Sequence, residues 1–69
     1  MKFTIKHETK SRMRIHVAGP RMTYAQADTL LYYLQNQEQI TFAKVYERTA
    51  DAVIEFSGKR LDLITMLRK

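Results

Sequence analysis

The chain has 69 residues, and 12 lysines and arginines against seven acids give it a formal net charge of +5. This length fits a single domain over residues 1–69 and leaves little room for a buried catalytic pocket. Cysteine is absent, which excludes disulfides, thiolate nucleophiles and thiolate-bound zinc.

The positive charge is concentrated in the first third of the chain. Residues 1–21 carry six basic side chains and one acid, whereas residues 22–69 carry six of each sign. Such an asymmetry indicates an anionic partner, and the alternative is that the basic side chains only keep a sheet edge solvated. The candidate anion- or partner-binding residues, at even positions of one alternating segment, are Lys6, Lys10, Arg12 and Arg14.

Apolar and polar residues alternate over positions 3–17, which predicts strand structure with one buried face. The polar middle, residues 8–11, predicts a turn or bulge that divides this segment into strands 2–7 and 12–18. Gly19 and Pro20 are expected to end the second strand.

A helix is predicted over residues 24–37. Thr23 and Gln26 have the spacing of a capping box, in which each side chain satisfies a free backbone N–H group. The leucines and Ala27 fall on one face of this helix, whereas Tyr32 and Tyr33 cannot both face the core. One of these two tyrosines is therefore expected to be exposed.

Two further strands and a second helix complete the pattern. The strands are predicted over residues 40–47 and 52–56, with a polar hairpin turn over 48–51 between them. Ser57 and Gly58 interrupt the alternation, and the second helix is predicted from about Lys59 onwards.

The order strand, strand, helix, strand, strand, helix predicts an α+β fold. We expect a ferredoxin-like sandwich, with an antiparallel sheet and two helices on one face. That fold has a fourth strand after its second helix. We expect residues 2–7 to fill this position by pairing with residues 12–18, and the alternative is that a fourth strand lies beyond residue 69.

The segment from Arg12 to Leu67 also carries an ordered set of motifs. They are Ile15-His16-Val17-Ala18-Gly19, Met22-Thr23-Tyr24-Ala25-Gln26-Ala27, Ile40-x-x-Ala43-x-Val45 and Ala52-x-Ile54-x-Phe56. In this arrangement the chain resembles the heavy-metal-associated domain of metal-transporting P-type ATPases and small copper chaperones. The family carries a Gly-Met-x-Cys-x-x-Cys loop between its first strand and first helix.

The chain departs from the family at this loop. With Met22 in the place of the loop methionine, the two metal-binding cysteines fall on Tyr24 and Ala27, so these are degenerate metal-loop positions. The resemblance is to a cysteine-less branch, whose basic opening is similar to residues 7–14. It implies a non-catalytic cytosolic docking or regulatory module of, or related to, a heavy-metal-translocating P-type ATPase, without a thiolate metal site. The implied partners are another protein or other domains of a membrane transporter.

Neither a metal centre nor a catalytic centre is predicted. His7, His16 and Glu8 are weak metal candidates, because a metal ion needs three or four ligands and because alternation along a continuous strand places His7 on the apolar face, buried or half-buried, and His16 on the opposite face. A bulge between them would reverse this parity. The serines lack a neighbouring histidine–carboxylate pair, and no glycine-rich phosphate loop is present. We therefore expect no enzymatic activity and no cofactor.

Two other functions stay open. An uncovered sheet face with aromatic side chains could bind single-stranded nucleic acid, and an unpaired sheet edge could form a homodimer. The residues expected on such a face are Arg12, Arg14, His16, Phe42, Lys44, Tyr46, Val53 and Glu55. No apolar run is long enough to span a bilayer, and no signal peptide is recognised, so a cytoplasmic location is expected, at the cytosolic side of the membrane if the chain belongs to a transporter.

Overall fold

The computed structural model describes residues 2–19 and 21–68, so Met1, Pro20 and Lys69, with the expectation about Pro20, lie outside the described part. The elements in chain order are β1 (Phe3–Glu8), β2 (Arg12–Val17), α1 (Tyr24–Gln35), β3 (Ile40–Tyr46), β4 (Asp51–Phe56) and α2 (Arg60–Leu67). The predicted order and types of element are confirmed.

The four strands form one antiparallel sheet in the order β1-β2-β4-β3. β1 and β3 are therefore the edges, and β2 and β4 lie in the middle. The prediction that the N-terminal segment forms a strand paired with the next one is confirmed, since Phe3 lies opposite Val17 and Ile5 lies opposite Ile15.

Both helices pack on one face of this sheet. Alternate residues of the two central strands point to the helices and form one cluster with apolar residues of both helices. The fully or nearly fully buried members of this cluster are Met13, Ile15, Leu34, Ala52, Ile54, Phe56, Leu63, Met66 and Leu67. Among the described residues, no helix has the length and apolar character needed to cross a membrane.

The predicted capping box starts α1. The Thr23 hydroxyl oxygen accepts a hydrogen bond from the Gln26 N–H at 3.1 Å, and the Gln26 amide oxygen accepts one from the Thr23 N–H at 2.9 Å. α1 ends at Gln35, two residues before the predicted boundary, because Asn36 caps it and its side chain donates to the Tyr32 carbonyl. α2 begins one residue later than predicted, with Lys59 as its N-cap.

A bulge in β1 changes which residues share a face. The strand register shifts between Ile5 and His7, so that His7 lies opposite Arg14 and Glu8 lies opposite Met13. His7 is therefore exposed on the side of the sheet away from the helices, and the prediction that it lies buried or half-buried on the apolar face is wrong. Glu8 turns towards the helices and forms an ion pair with Arg60 at the start of α2.

The β3–β4 turn is built from residues 47–50 and places Asp51 at the start of β4. Ala50 adopts a left-handed conformation, with φ of 57°, which is unusual for a residue with a side chain. Its carbonyl accepts a hydrogen bond from the Val17 N–H at 2.8 Å. This bond ties the turn to the end of β2 and brings Asp51 beside the basic side chains of that strand.

Candidate functional site

The side of the sheet away from the helices is uncovered, and we refer to it as the open face. Its members lie at alternate positions of β2, β3 and β4 and, because of the bulge, at both Lys6 and His7 of β1. The open face consists of Thr4, Lys6, His7, Arg12, Arg14, His16, Phe42, Lys44, Tyr46, Asp51, Val53 and Glu55.

Asp51 organises one end of the open face. Its Oδ2 accepts a hydrogen bond from Arg14 Nη2 at 3.1 Å, and its Oδ1 lies 2.8 Å from His16 Nδ1. Lys6 Nζ lies 3.9 Å from Oδ2. Asp51 is only 2% exposed, the one charged residue among those described that is buried. The side chains that cover it are themselves about half exposed, so the carboxylate lies beneath a thin layer of long side chains and not in the core.

The protonation of Asp51 follows from these contacts. Burial acts to raise its pKa, but the hydrogen bonds with His16 and Arg14 and the charges of Lys6 and Arg14 outweigh burial. The pKa of Asp51 is therefore lower than that of an ordinary aspartate, and the carboxylate is ionised at neutral pH. As an anion it holds Arg14 in a fixed position on the open face.

Aromatic side chains lie beside this cluster on the edge strand β3. The guanidinium carbon of Arg14 lies 5.8 Å from the centre of the Tyr46 ring, and Lys44 Nζ lies 5.2 Å from it. Both distances are within cation–π range. Phe42 and Tyr46 are 47% and 39% exposed. The open face thus offers cations and aromatic surface together, which is the composition of many protein-recognition sites.

The four candidate anion-binding residues do not form one row. Lys6 and Arg14 are engaged with Asp51, Arg12 is exposed on the open face, and Lys10 lies in the turn between β1 and β2. The even positions of the alternating segment are therefore not one continuous row, because the segment folds back as a hairpin between β1 and β2. Three of the four residues nevertheless lie on the same face.

The three candidate metal ligands do not lie on the same side of the sheet. His7 and His16 both lie on the open face, because the bulge in β1 reverses the parity expected for a continuous strand, whereas Glu8 is on the helix side with Arg60. No three His, Asp or Glu side chains within residues 2–19 and 21–68 are grouped closely enough to hold a metal ion.

The degenerate metal-loop positions do not converge on a common site. Tyr24, the first residue of α1, is 75% exposed, whereas Ala27 is buried. Met22 is half-buried and lines a cavity of about 230 Å³ with residues of β2 and α1. A thioether, a phenol and a methyl group provide no pair of soft ligands for a metal such as Cu(I).

Sequence reasoning missed Asp51, which it placed in the polar turn. A signal was present, since Asp51 directly precedes the largely apolar segment 52–56 and the polar positions of β2 include Arg14 and His16. Recognising it required the register of β2 against β4, in which His16 lies opposite Asp51.

Both tyrosines in the middle of α1 are partly exposed, Tyr32 more than Tyr33. The Tyr33 hydroxyl donates to the Met66 carbonyl at 3.4 Å and so connects the two helices. The expected exposed tyrosine is therefore Tyr32, which lies on the outer surface of the helix layer.

Comparison with known proteins gives no match. No protein-family model matches the chain, and neither a curated protein nor a solved structure does.

Proposed function

We propose that the chain is a non-catalytic docking or regulatory module of, or related to, a heavy-metal-translocating P-type ATPase, and that it binds an acidic protein segment through the open face. We also propose that its fold is ferredoxin-like. The observation that carries the docking role is the open face itself, where Asp51 holds a basic cluster beside exposed aromatic rings.

The strand order supports the ferredoxin-like assignment. In that fold the strand after the second helix pairs antiparallel with the first strand of the βαββ unit, at its outer edge. Here β2, α1, β3, β4 and α2 form the unit, and β1 occupies the outer position by pairing with β2. The same arrangement supports the proposed relationship with heavy-metal-associated domains. That relationship is inferred from the spacing of motifs in residues 12–67.

A function without metal transfer agrees with the chemistry of the degenerate loop. A thiolate site needs soft ligands at positions 24 and 27, where this chain has tyrosine and alanine. Binding through charge and aromatic contacts needs neither cysteine nor a cofactor. The partner would be another domain of the transporter or a protein that associates with it.

A second candidate function is binding of single-stranded nucleic acid, which the exposed rings of Phe42 and Tyr46 favour. Two features of the open face count against it. Both rings lie on the edge strand, and the central strand β4 presents Glu55, which would repel a phosphate backbone. An acidic protein segment can place its charges to avoid this carboxylate, whereas a nucleic acid carries a charge at every nucleotide.

Self-association through a sheet edge has less support. β1 is interrupted by a bulge between Ile5 and His7, and β3 by one between Ile40 and Phe42. Bulges at both edges are a common means of preventing further strand addition.

The reading frame that encodes the chain gives the first test of the proposed function. We expect it to encode membrane spans and the Asp-Lys-Thr-Gly phosphorylation motif of P-type ATPases, or to lie beside such a gene. The soluble domains of that transporter, produced separately, should then shift the amide resonances of the open face when added to the ¹⁵N-labelled chain. Shifts confined to the helix side would contradict docking through the open face.

Two titrations separate the alternatives. With Cu(I) and a competing chelator, we expect no stoichiometric binding of micromolar affinity or tighter, and such binding would contradict a module without its own metal site. With a single-stranded RNA, we expect weak binding at physiological salt. A sub-micromolar RNA affinity would replace the proposed function with nucleic-acid recognition.

A further inference from the structure

A shallow cavity of about 390 Å³ opens on the open face beside the β1–β2 turn. Its lining consists of His7, Thr9, Arg12, Arg14 and Val53. Two guanidinium groups and an imidazole thus surround a space that an apolar side chain closes from below, since Val53 is only 6% exposed. The cavity therefore combines a charged rim with an apolar floor.

The backbone holds the rim of this cavity in place. The bulge in β1 puts His7 opposite Arg14, so both side chains border the same space. At the turn, the Thr9 N–H donates to the Arg12 carbonyl at 2.8 Å, which fixes the start of β2. Val53 lies between Arg14 on β2 and Lys44 on β3, and their aliphatic stems flank it.

The two arginines differ in their partners. Asp51 accepts a hydrogen bond from one terminal nitrogen of Arg14 and leaves its other N–H groups available. Arg12 makes no ion pair with any carboxylate in the described part of the chain, although Glu55 lies opposite it on β4. The charged side chains that line the cavity are those of Arg12 and Arg14, and no carboxylate of the described residues is part of its lining, so the lining is complementary to a carboxylate group.

We propose that an acidic segment of a protein partner seats one carboxylate side chain in this cavity, between the guanidinium groups of Arg12 and Arg14. The forked donors of arginine match the two oxygens of a carboxylate, and the methylene groups of the ligand contact Val53. This inference rests on the proposed function, because it names the anchor by which the open face binds its acidic partner.

Fluorescence anisotropy with a labelled twelve-residue peptide of alternating glutamate and serine tests the inference on the 69-residue chain. We expect Arg12→Gln to weaken binding about tenfold, as expected for loss of a charge-assisted hydrogen-bond pair. Lys10→Gln is the matched control, since it removes the same charge from the adjacent turn, outside the cavity, and should change the affinity less than twofold. Arg12→Lys should weaken peptide binding about threefold, because it keeps the positive charge and removes the forked N–H donors of the guanidinium group.

Circular dichroism of each variant checks that the fold is retained, and amide shifts of the ¹⁵N-labelled chain locate the peptide. One outcome is that the peptide shifts the amide resonances of the open face while Arg12→Gln and Lys10→Gln weaken its binding equally. In that case the cavity is not the anchor, and docking through the open face stands. If a peptide with glutamine in place of glutamate binds equally well, the carboxylate anchor is wrong. If the acidic peptide shifts no amide resonance of the open face, both the inference and the proposed docking role fail.

Discussion

The two faces of the sheet are built from alternate residues of the same strands, yet they differ in how they are stabilised. On the helix side, Met13 and Ile54 lie opposite each other and are fully buried among apolar side chains. On the open face, His16 lies opposite Asp51, and the carboxylate is covered by polar side chains that are themselves half exposed.

The difference between the faces has a functional consequence. A face stabilised by packing tolerates little change, because each residue fits a fixed volume. A face stabilised by a few charged contacts contributes less to folding and can exchange them for contacts with a partner. We therefore expect substitutions on the helix side to change mainly stability, and those on the open face to change mainly binding.

The largest effect is expected at Ile54. Ile54→Ala should lower the free energy of unfolding by about 3 to 4 kcal/mol, because it leaves a cavity in the core. A chain of this size has a total stability of roughly 3 to 10 kcal/mol, so the variant should be close to unfolded. Val53→Ala, on the open face one position earlier, is the control and should lower the free energy of unfolding by only about 1 kcal/mol. Equal losses in urea unfolding would contradict the distinction between the two faces.

Phe3 tests whether the edge strand belongs to the packed side. Its ring is half-buried against the core cluster, so Phe3→Ala should lower the free energy of unfolding by about 2 kcal/mol, less than for a fully buried ring. Thr4→Ala, at the next residue and on the open face, should change it by less than about 0.5 kcal/mol. Hydrogen exchange supplies the second measurement, because β1 amides that exchange like an unstructured tail would show that β1 is not a stable strand.

Asp51 is the open-face residue with the largest expected effect on stability. Asp51→Asn should lower the free energy of unfolding by about 1 to 2 kcal/mol at neutral pH, because it weakens the contacts with Arg14 and His16. The pKa of Asp51 is lowered in the folded chain. Its stabilising contribution is therefore complete above the unfolded-state pKa of about 3.9 and is lost as the pH falls through the lower folded-state pKa.

Urea unfolding of the native chain and Asp51→Asn across acidic pH checks this dependence. The difference between the two proteins should shrink as the pH falls below about 4. A difference that grows over this range, in which carboxylates become protonated, would mean that the carboxylate is not stabilised as an anion by its neighbours.

The smallest effect is expected at Lys6. Its Nζ is 3.9 Å from Asp51 and its side chain is 53% exposed, so solvent screens the interaction. Lys6→Gln should change the free energy of unfolding by less than about 0.5 kcal/mol, and Lys10→Gln, which has no such contact, provides the reference. A loss as large as that of Asp51→Asn would show that Lys6, and not Arg14 and His16, holds the carboxylate.

Local patterns in the sequence determined the elements and the side of the sheet that is buried. Alternation in β2 and β4, the capping box at Thr23 and Gln26, and the polar turns each depend on residues a few positions apart, so they are legible without a structure. The same patterns led to the pairing of β1 with β2, since a short polar turn joins two alternating segments.

The arrangement of the candidate site was decided by the tertiary structure. The bulge after Ile5 moved His7 onto the open face and sent Glu8 towards Arg60, and a one-residue shift of this kind leaves no clear mark in an alternating sequence. The contact of Asp51 with Arg14 and His16 joins residues more than 30 positions apart. It depends on the register between β2 and β4, which the packing of both strands against the helices sets, and so neither the buried carboxylate nor the cavity beside Arg12 could be derived from local pattern.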